Sequence, residues 1–285
     1  MKRLLTVFLL VAVLCFSFAS CGSEDLQIFS GNSDLTFKIE DGEAALTGVP
    51  NKSNITVIEI PDEYEGVPVT KIADFAAVNL EYITKITIGK NVKEISDWAF
   101  GNSRKITEFS VDEENPYFSD VDGVIFTEDM KTLLFYPPSG GIKTEKDTEG
   151  NEFKSISYTI PEGVETVRTK AFYKCYDLRN VTLPQSLKNI EEKAFFRCNL
   201  QTITLPDGLE FIGKDAFAFC EQAKEVTIPA SVKQIDEYAF YSCYALSNVT
   251  MLGNESEMTL GKKWYPTKNG GSLDTELVIT WPEDK

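Results

Sequence analysis

The sequence predicts an α/β or mainly β solenoid: a stack of short parallel strands with irregular or short helical return segments, capped at both ends. The first observation behind this is phasing. The stretches "VTLPQSLKNIEEKAFFRC" (181–198), "ITLPDGLEFIGKDAFAFC" (203–220) and "VTIPASVKQIDEYAFYSC" (226–243) repeat one pattern. Pro161, Pro184, Pro206 and Pro229 lie 23, 22 and 23 residues apart, and Phe172, Phe195, Phe217, Phe240 keep the same intervals, as do Cys175, Cys198, Cys220, Cys243. Self-similarity at such a period marks coils that bury their apolar flanks against their neighbours. The second observation is alternation within each copy. In "V-T-L-P" an apolar, polar, apolar run ends at a proline that cannot extend a ladder, which describes a short strand with one buried face.

Within a unit, Val181 and Leu183 are expected to point inward and Thr182 outward. A second apolar pair, Leu187 and Ile190, followed by Ala194 and Phe195, returns the chain along the opposite wall. One such unit buries too few side chains to offset the entropy of ordering its backbone, so the copies need one another. Earlier copies are "KITIGKNVKEISDWAFGNS" (85–103), with Gly89 in place of proline and Asn102-Ser103 near the cysteine position, and "TVIEIPDEYEGVPVTKIADFAA" (56–77), with extra residues between Pro61 and Ile72. A degraded last copy begins at "NVTMLGNES".

The chain opens with "MKRLLTVFLLVAVLCFSFASC": two cations, an apolar run from Leu4 to about Phe18, then small residues. This is the layout of a secretory signal and is short for a membrane span. The ending "FASC" resembles the lipobox of bacterial lipoproteins, with Ala19 and Ser20 matching and Phe18 in the place where leucine is usual. The resemblance implies lipid attachment at Cys21 and anchoring without a transmembrane helix. The expected organisation is therefore a signal peptide at 1–20, a tether at 21–34, a hairpin cap at 35–54, repeats over 55–250 with a hairpin insert at about 112–141, and a C-terminal cap at 251–285. In that last part "ELVITW" reads as a strand covering the open edge.

The pattern L-x-x-V-T-L-P-x-x-L-x-x-I-x-x-x-A-F-x-x-C resembles the BspA-type leucine-rich repeat, also called the Treponema pallidum type, of bacterial surface proteins. Residues 35–75 resemble that family's N-terminal opening, including a hairpin turning at Asp41-Gly42, and "NPYFSDVDGVIFTEDMKTLLFYPPSG" (115–140) resembles its inserted hairpin. The resemblance implies a leucine-rich repeat stack and, because some relatives are adhesins, a non-catalytic binding role at the cell envelope.

Composition narrows the chemistry. The 285 residues hold 28 basic and 44 acidic side chains and no histidine, a formal charge of −16. Removing the segment with Lys2 and Arg3 would leave −18. Such a surface repels phosphate backbones, so no nucleic-acid partner is expected. The absence of histidine removes the commonest general base and zinc ligand. No nucleophile elbow or phosphate loop is present. The acids Glu191, Glu192, Asp215, Asp236 and Glu237 fall at corresponding turn positions and read as a rim, not as a paired catalytic centre. "DVDG" (120–123) lacks the remaining ligands of a calcium loop and reads as a turn. No enzyme activity, cofactor or metal is expected.

The cysteine column reads most simply as small buried packing positions. Disulfides between adjacent coils also fit the coil spacing and an exported location, whereas zinc would need closer paired spacings than 22 and 23. For ligand contact, the outward columns are the candidates: Thr87, Thr159, Thr182, Thr204, Thr227 and Thr250, beside Lys85, Ser157, Asn180, Thr202, Glu225 and Asn248. Threonine equally suits any exposed strand position. The expected molecule is exported, lipid-anchored to the bacterial cell envelope and exposed at the surface. Its expected partners are a protein or glycan ligand, with membrane contact only through the anchor. An adhesin-like role, a glycan- or peptide-capturing role and a structural envelope role are the alternatives.

Overall fold

The computed structural model describes residues 28–29, 34–266 and 277–282. The signal segment, Cys21 and most of the expected tether lie outside the described residues. The chain is a mainly β solenoid of about nine turns with almost no helix. Among the described residues no helix is long and apolar enough to cross a membrane.

One wall carries the strands that the alternation marks. Val57–Glu59, Lys85–Ile88 and Glu108–Val111 form a parallel sheet, with Ile28–Phe29 paired at its start. Glu152–Thr159 pairs in parallel with Leu178–Thr182. Ile203–Thr204, Glu225–Ile228, Asn248–Met251 and Val278–Thr280 form the last parallel set. Leu183 is buried as expected, and Val181 is half-buried against the core. A second wall stacks the return: Thr166–Val167, Asn189–Ile190, Phe211–Ile212, Gln234–Ile235 and Thr259–Leu260 pair in parallel, an unbroken ladder of two-residue rungs.

The turns between the second wall and the next strand are irregular, and their backbone explains why. A segment such as "KAFFRC" has residues suited to helix, but Lys193 and Arg197 adopt φ of 56° and 60°. Lys170 and Lys174, Asp215 and Phe219, Tyr238 and Ser242 repeat the same pair of left-handed residues. Left-handed backbone disfavours L residues by roughly 1–2 kcal/mol each. Here it aims alternate N–H groups at the following coil: Lys193 N donates to Lys214 O (2.9 Å), Phe195 N to Ala216 O (2.8 Å) and Arg197 N to Ala218 O (2.9 Å). Intercoil hydrogen bonds replace the i to i−4 bonds of a helix, and the stack imposes a conformation the local sequence would not choose.

Inside, Phe172, Phe195, Phe217 and Phe240 form one file, all fully buried. Successive ring centroids lie 4.9, 5.2 and 5.3 Å apart at 14°, 5° and 7°. Tyr136 stacks on Phe172 at 4.8 Å at one end of the file, and Trp264 meets Phe240 edge-on at 6.4 Å at the other. The four cysteines are free thiols, not disulfides, and all are buried. They do more than fill space. Cys198, Cys220 and Cys243 Sγ donate to the carbonyls of Phe172, Phe195 and Phe217 in the preceding coil, at 3.1, 3.3 and 3.2 Å. Ser103 holds the same place in the earlier copy, and its Oγ donates to Ala77 O at 2.7 Å. Because Phe172, Phe195 and Phe217 O already accept from Cys175, Cys198 and Cys220 N at 3.1 Å, the thiol adds a second bond to each carbonyl, one that ties the coil to its neighbour.

The interior is not continuous along the whole chain, as a simple stack would have it. It divides into an N-terminal and a C-terminal cluster at the insert. Phe118–Val121, Val124–Thr127 and Thr132–Phe135 form an antiparallel sheet, and the last strand continues in parallel into Thr166–Val167. Because strand side chains alternate, Val124, Phe126 and Leu133 enter the C-terminal cluster, while Ile125 and Leu134 enter the N-terminal one. The insert is thus a partition that both halves pack against. Arg168 closes the seam: its guanidinium pairs with Asp97 (2.7 Å), donates to Ile95 O (3.0 Å) and lies 5.4 Å from the Phe135 ring centre. A second hairpin, Lys143–Lys146 with Glu152–Thr159, lies beyond the predicted insert.

Candidate functional site: the outward strand face

Period-2 alternation places the predicted threonines on the outer side of the first wall. Thr159, Thr182, Thr204 and Thr227 are exposed, and Thr87 and Thr250 are half-buried. Asn180, Thr202, Glu225 and Asn248 are exposed beside them. The structure does not join them into one ladder. Thr159 is the register partner of Thr182, and Ser157 of Asn180. Thr204, Thr227, Thr250 and Thr280 form a second row, with Glu225 opposite Asn248. Thr87 belongs to the first sheet, between Glu59 and Ser110, on the far side of the insert.

The gap between Thr182 and Thr204 has a cause in the sequence. Cys198 and Pro206 are 8 residues apart, whereas Cys175 and Pro184, like Cys220 and Pro229, are 9 apart. With one residue missing, strand pairing lapses, and Gln201 N donates to Arg179 O (2.9 Å) in its place. The face is therefore three panels in approximate file.

Its chemistry is polar and nearly uncommitted. None of the six threonine hydroxyls makes a hydrogen bond within the described residues. Asn180 Nδ2 reaches Ser157 Oγ at 3.3 Å, and Lys85 pairs with Glu108 across the first panel at 2.6 Å. The threonine hydroxyls remain available to a partner, which is the practical requirement of a binding surface.

Four of the five rim acids, all but Glu237, have side-chain partners among the described residues. Glu191 accepts from Thr169 N (2.9 Å) and Thr169 Oγ1 (3.1 Å), Asp215 pairs with Lys193 (3.2 Å), and Asp236 accepts from Gln234 Nε2 (2.7 Å). Glu192 is held by Lys193, whose cation draws its carboxyl below the usual range. "DVDG" forms the turn of the insert, with Asp122 and Gly123 at φ 52° and 78°, while Asp120 Oδ1 accepts from Val111 N at 2.6 Å. Beside the insert, a cleft lined by Trp98, Phe100, Arg104, Lys170 and Tyr173 encloses about 30 Å³. That is room for one or two waters and far below the size of an organic ligand site.

Sequence reasoning picks out Tyr173 and Tyr241 beside the cysteines as candidate anchors but misses the column that joins them on the return turns: Trp98, Tyr173, Phe196, Phe219 and Tyr241, each in ring contact with the next. Phe219 stands one position later in its copy than Phe196, so no single repeat position carries the column. The signal available was only the surplus of aromatics flanking the cysteines.

The phased coils and stacked parallel strands are those of a leucine-rich repeat protein. Residues 50–126 and 150–261 match the BspA type leucine rich repeat region in 6 copies, and the chain belongs to that family. Among solved structures, a leucine-rich repeat protein from Eubacterium ventriosum is similar at 17% identity over 82% of this chain and 83% of that one, with a TM-score of 0.54. A leucine rich cell surface protein from Faecalibacterium prausnitzii is 23% identical over 85% and 75%, with a TM-score of 0.43. The T. pallidum leucine rich repeat protein is 18% identical over 81% and 85%, with a TM-score of 0.40. At 17% identity the first of these likenesses is one of fold alone. No curated protein matches the chain.

Proposed function

We propose that this chain is an exported, lipid-anchored binding protein of the cell envelope, adhesin-like and non-catalytic, which presents its outward strand face to a protein ligand. One observation carries the reading: exposed polar columns stand in register within each panel of the first wall, and their threonine hydroxyls make no hydrogen bond among the described residues. Rigid strands hold these groups in place, which limits the ordering cost of binding. The non-catalytic part of the proposal is supported by the absence of histidine and by the structural bonds that occupy four of the five rim acids. Anchoring through Cys21 and surface exposure rest on the signal-like N-terminus and on family membership.

The test is adhesion of the protein to immobilised matrix proteins, repeated with Thr182→Lys, Thr204→Lys and Thr227→Lys combined. We expect saturable binding that the triple variant weakens by roughly tenfold or more, since bulky cations on a packed face oppose docking. Thermal melting should stay unchanged, because all three positions are exposed. Binding unaltered by the triple variant would remove the strand face from the account.

A further inference from the structure

The return turns carry a surface of different chemistry. From Phe75 through Trp98, Tyr173, Phe196 and Phe219 to Tyr241, ring centroids succeed one another at 6.1, 5.2, 5.3, 5.3 and 5.6 Å. None of these rings is buried, and Phe75 is 60% exposed. Cations lie over them: Lys170 Nζ is 4.5 Å from the Trp98 ring centre and Lys174 Nζ 5.2 Å from that of Tyr173, while the Arg197 guanidinium is 4.9 Å from Phe219 and 5.7 Å from Phe196. Arg104 lies 4.4 Å over Tyr176, whose hydroxyl it also meets at 3.3 Å. Such contacts are modestly favourable at exposed sites, and they keep the charged groups on the surface.

Among the described residues these four cations make no ion pair with a carboxylate, in a chain of charge −16. The acids nearest Lys170 are Asp74, Asp97 and Glu192, and the last two are engaged by Arg168 and Lys193. The strip is also preorganised. Lys170, Lys174, Arg197 and Phe219 occupy left-handed positions fixed by N–H donation to Glu192, Phe196, Ala218 and Tyr241 carbonyls at 2.8–3.0 Å.

We propose that this cation-aromatic strip binds a linear anionic polysaccharide lying along the solenoid axis. The cations meet its uronate or sulfate groups, and the exposed ring edges pack against its apolar C–H surfaces. Two features select this occupant. The coils advance by about the length of one pyranose, as the spacing of 4.9–5.3 Å in the buried phenylalanine file shows, so the rings recur in step with a periodic chain, while the cations cluster at the Trp98, Tyr173 and Phe196 turns. Single-stranded nucleic acid, the other common partner of mixed cation and aromatic surfaces, needs open ring faces. Here Tyr173 and Phe196 cover each other's faces at 12°.

The site is separate from the strand face, and a single experiment distinguishes the two. Binding of heparin and hyaluronan oligosaccharides to the full chain is measured at low and high salt, beside a neutral dextran oligosaccharide and single-stranded oligothymidine. We expect salt-sensitive binding of at least one anionic glycan. Lys174→Gln with Arg197→Gln should weaken it by roughly tenfold or more, with an unchanged melting temperature, while the strand-face triple variant should bind as the parent does. Absence of anionic-glycan binding, tighter binding of oligothymidine, equal binding of dextran, an unaffected double variant, or loss of binding in the threonine triple would each overturn the proposal.

Discussion

Replacing Phe195 with alanine is expected to lower the stability of the protein by about 3–5 kcal/mol. The ring is fully buried and sandwiched between Phe172 at 4.9 Å and Phe217 at 5.2 Å. The cavity cannot collapse, because the backbone on both sides is pinned by intercoil bonds: Phe195 N donates to Ala216 O, and Phe172 N to Ala194 O, both at 2.8 Å. Removing the ring therefore withdraws contacts from two neighbours at once, and both file members then face a void. Phe195→Leu refills part of the space and should lose less. Urea titration followed by circular dichroism reads the difference. A loss below about 1 kcal/mol would mean that the file is not a principal source of cohesion.

The second large effect is alkaline. A thiol ordinarily ionises near 9.0, but burial among apolar side chains pushes Cys243 up to about 12 and raises Cys175, Cys198 and Cys220 as well. Above pH 9 the unfolded chain therefore releases protons that the folded chain retains. The stabilising difference is fully present below the unfolded value and declines as pH rises toward the folded one. Each such thiol removes about 1.4 kcal/mol per pH unit. Four acting together should lower stability by roughly 5 kcal/mol between pH 8 and pH 10. Tyr158, held up to about 12 by burial, adds to the loss at still higher pH. Melting temperatures across this range test the expectation, and Cys243→Ala should flatten the slope by the share of one thiol. A melting temperature constant from pH 8 to pH 10 would show that the thiols are already wet or ionised in the fold.

The two predictions draw on different parts of the sequence's legibility. The phenylalanine and cysteine columns could be read directly, because stacked coils must repeat their buried positions, and the threonines alternate with them. What the cysteines do was less legible. Hydrogen bonding to the preceding coil's carbonyl depends on backbone direction, and only the equivalence of Cys198 with Ser103 makes it plain. The second wall was hidden because two residues such as Asn189–Ile190 are too few to show a period. The left-handed turns were hidden for the opposite reason: "KAFFRC" carries a helical preference, and the stack overrides it at Lys193 and Arg197.

The candidate faces follow the same division. Which threonines point outward was fixed by alternation. That they form panels was written in the missing residue between Cys198 and Pro206, but it becomes visible only when pairing lapses at Thr182. The aromatic strip crosses repeat positions and depends on side-chain geometry, so no column of the aligned copies displays it. The partition of the core rests on strands such as Val124–Thr127, which are buried on both faces and read in sequence only as an apolar hairpin.

The claim beneath all of this is that the C-terminal coils enclose one dry interior whose walls fix the outer faces in register. Thiol labelling of the native protein, resolved by peptide mapping so that each cysteine is read alone, tests it most directly. The account predicts that Cys175, Cys198, Cys220 and Cys243 are all reduced, all inert at neutral pH, and all labelled together once denaturant unfolds the stack. A disulfide among them, or one of the four reacting at once in the native state, would contradict it.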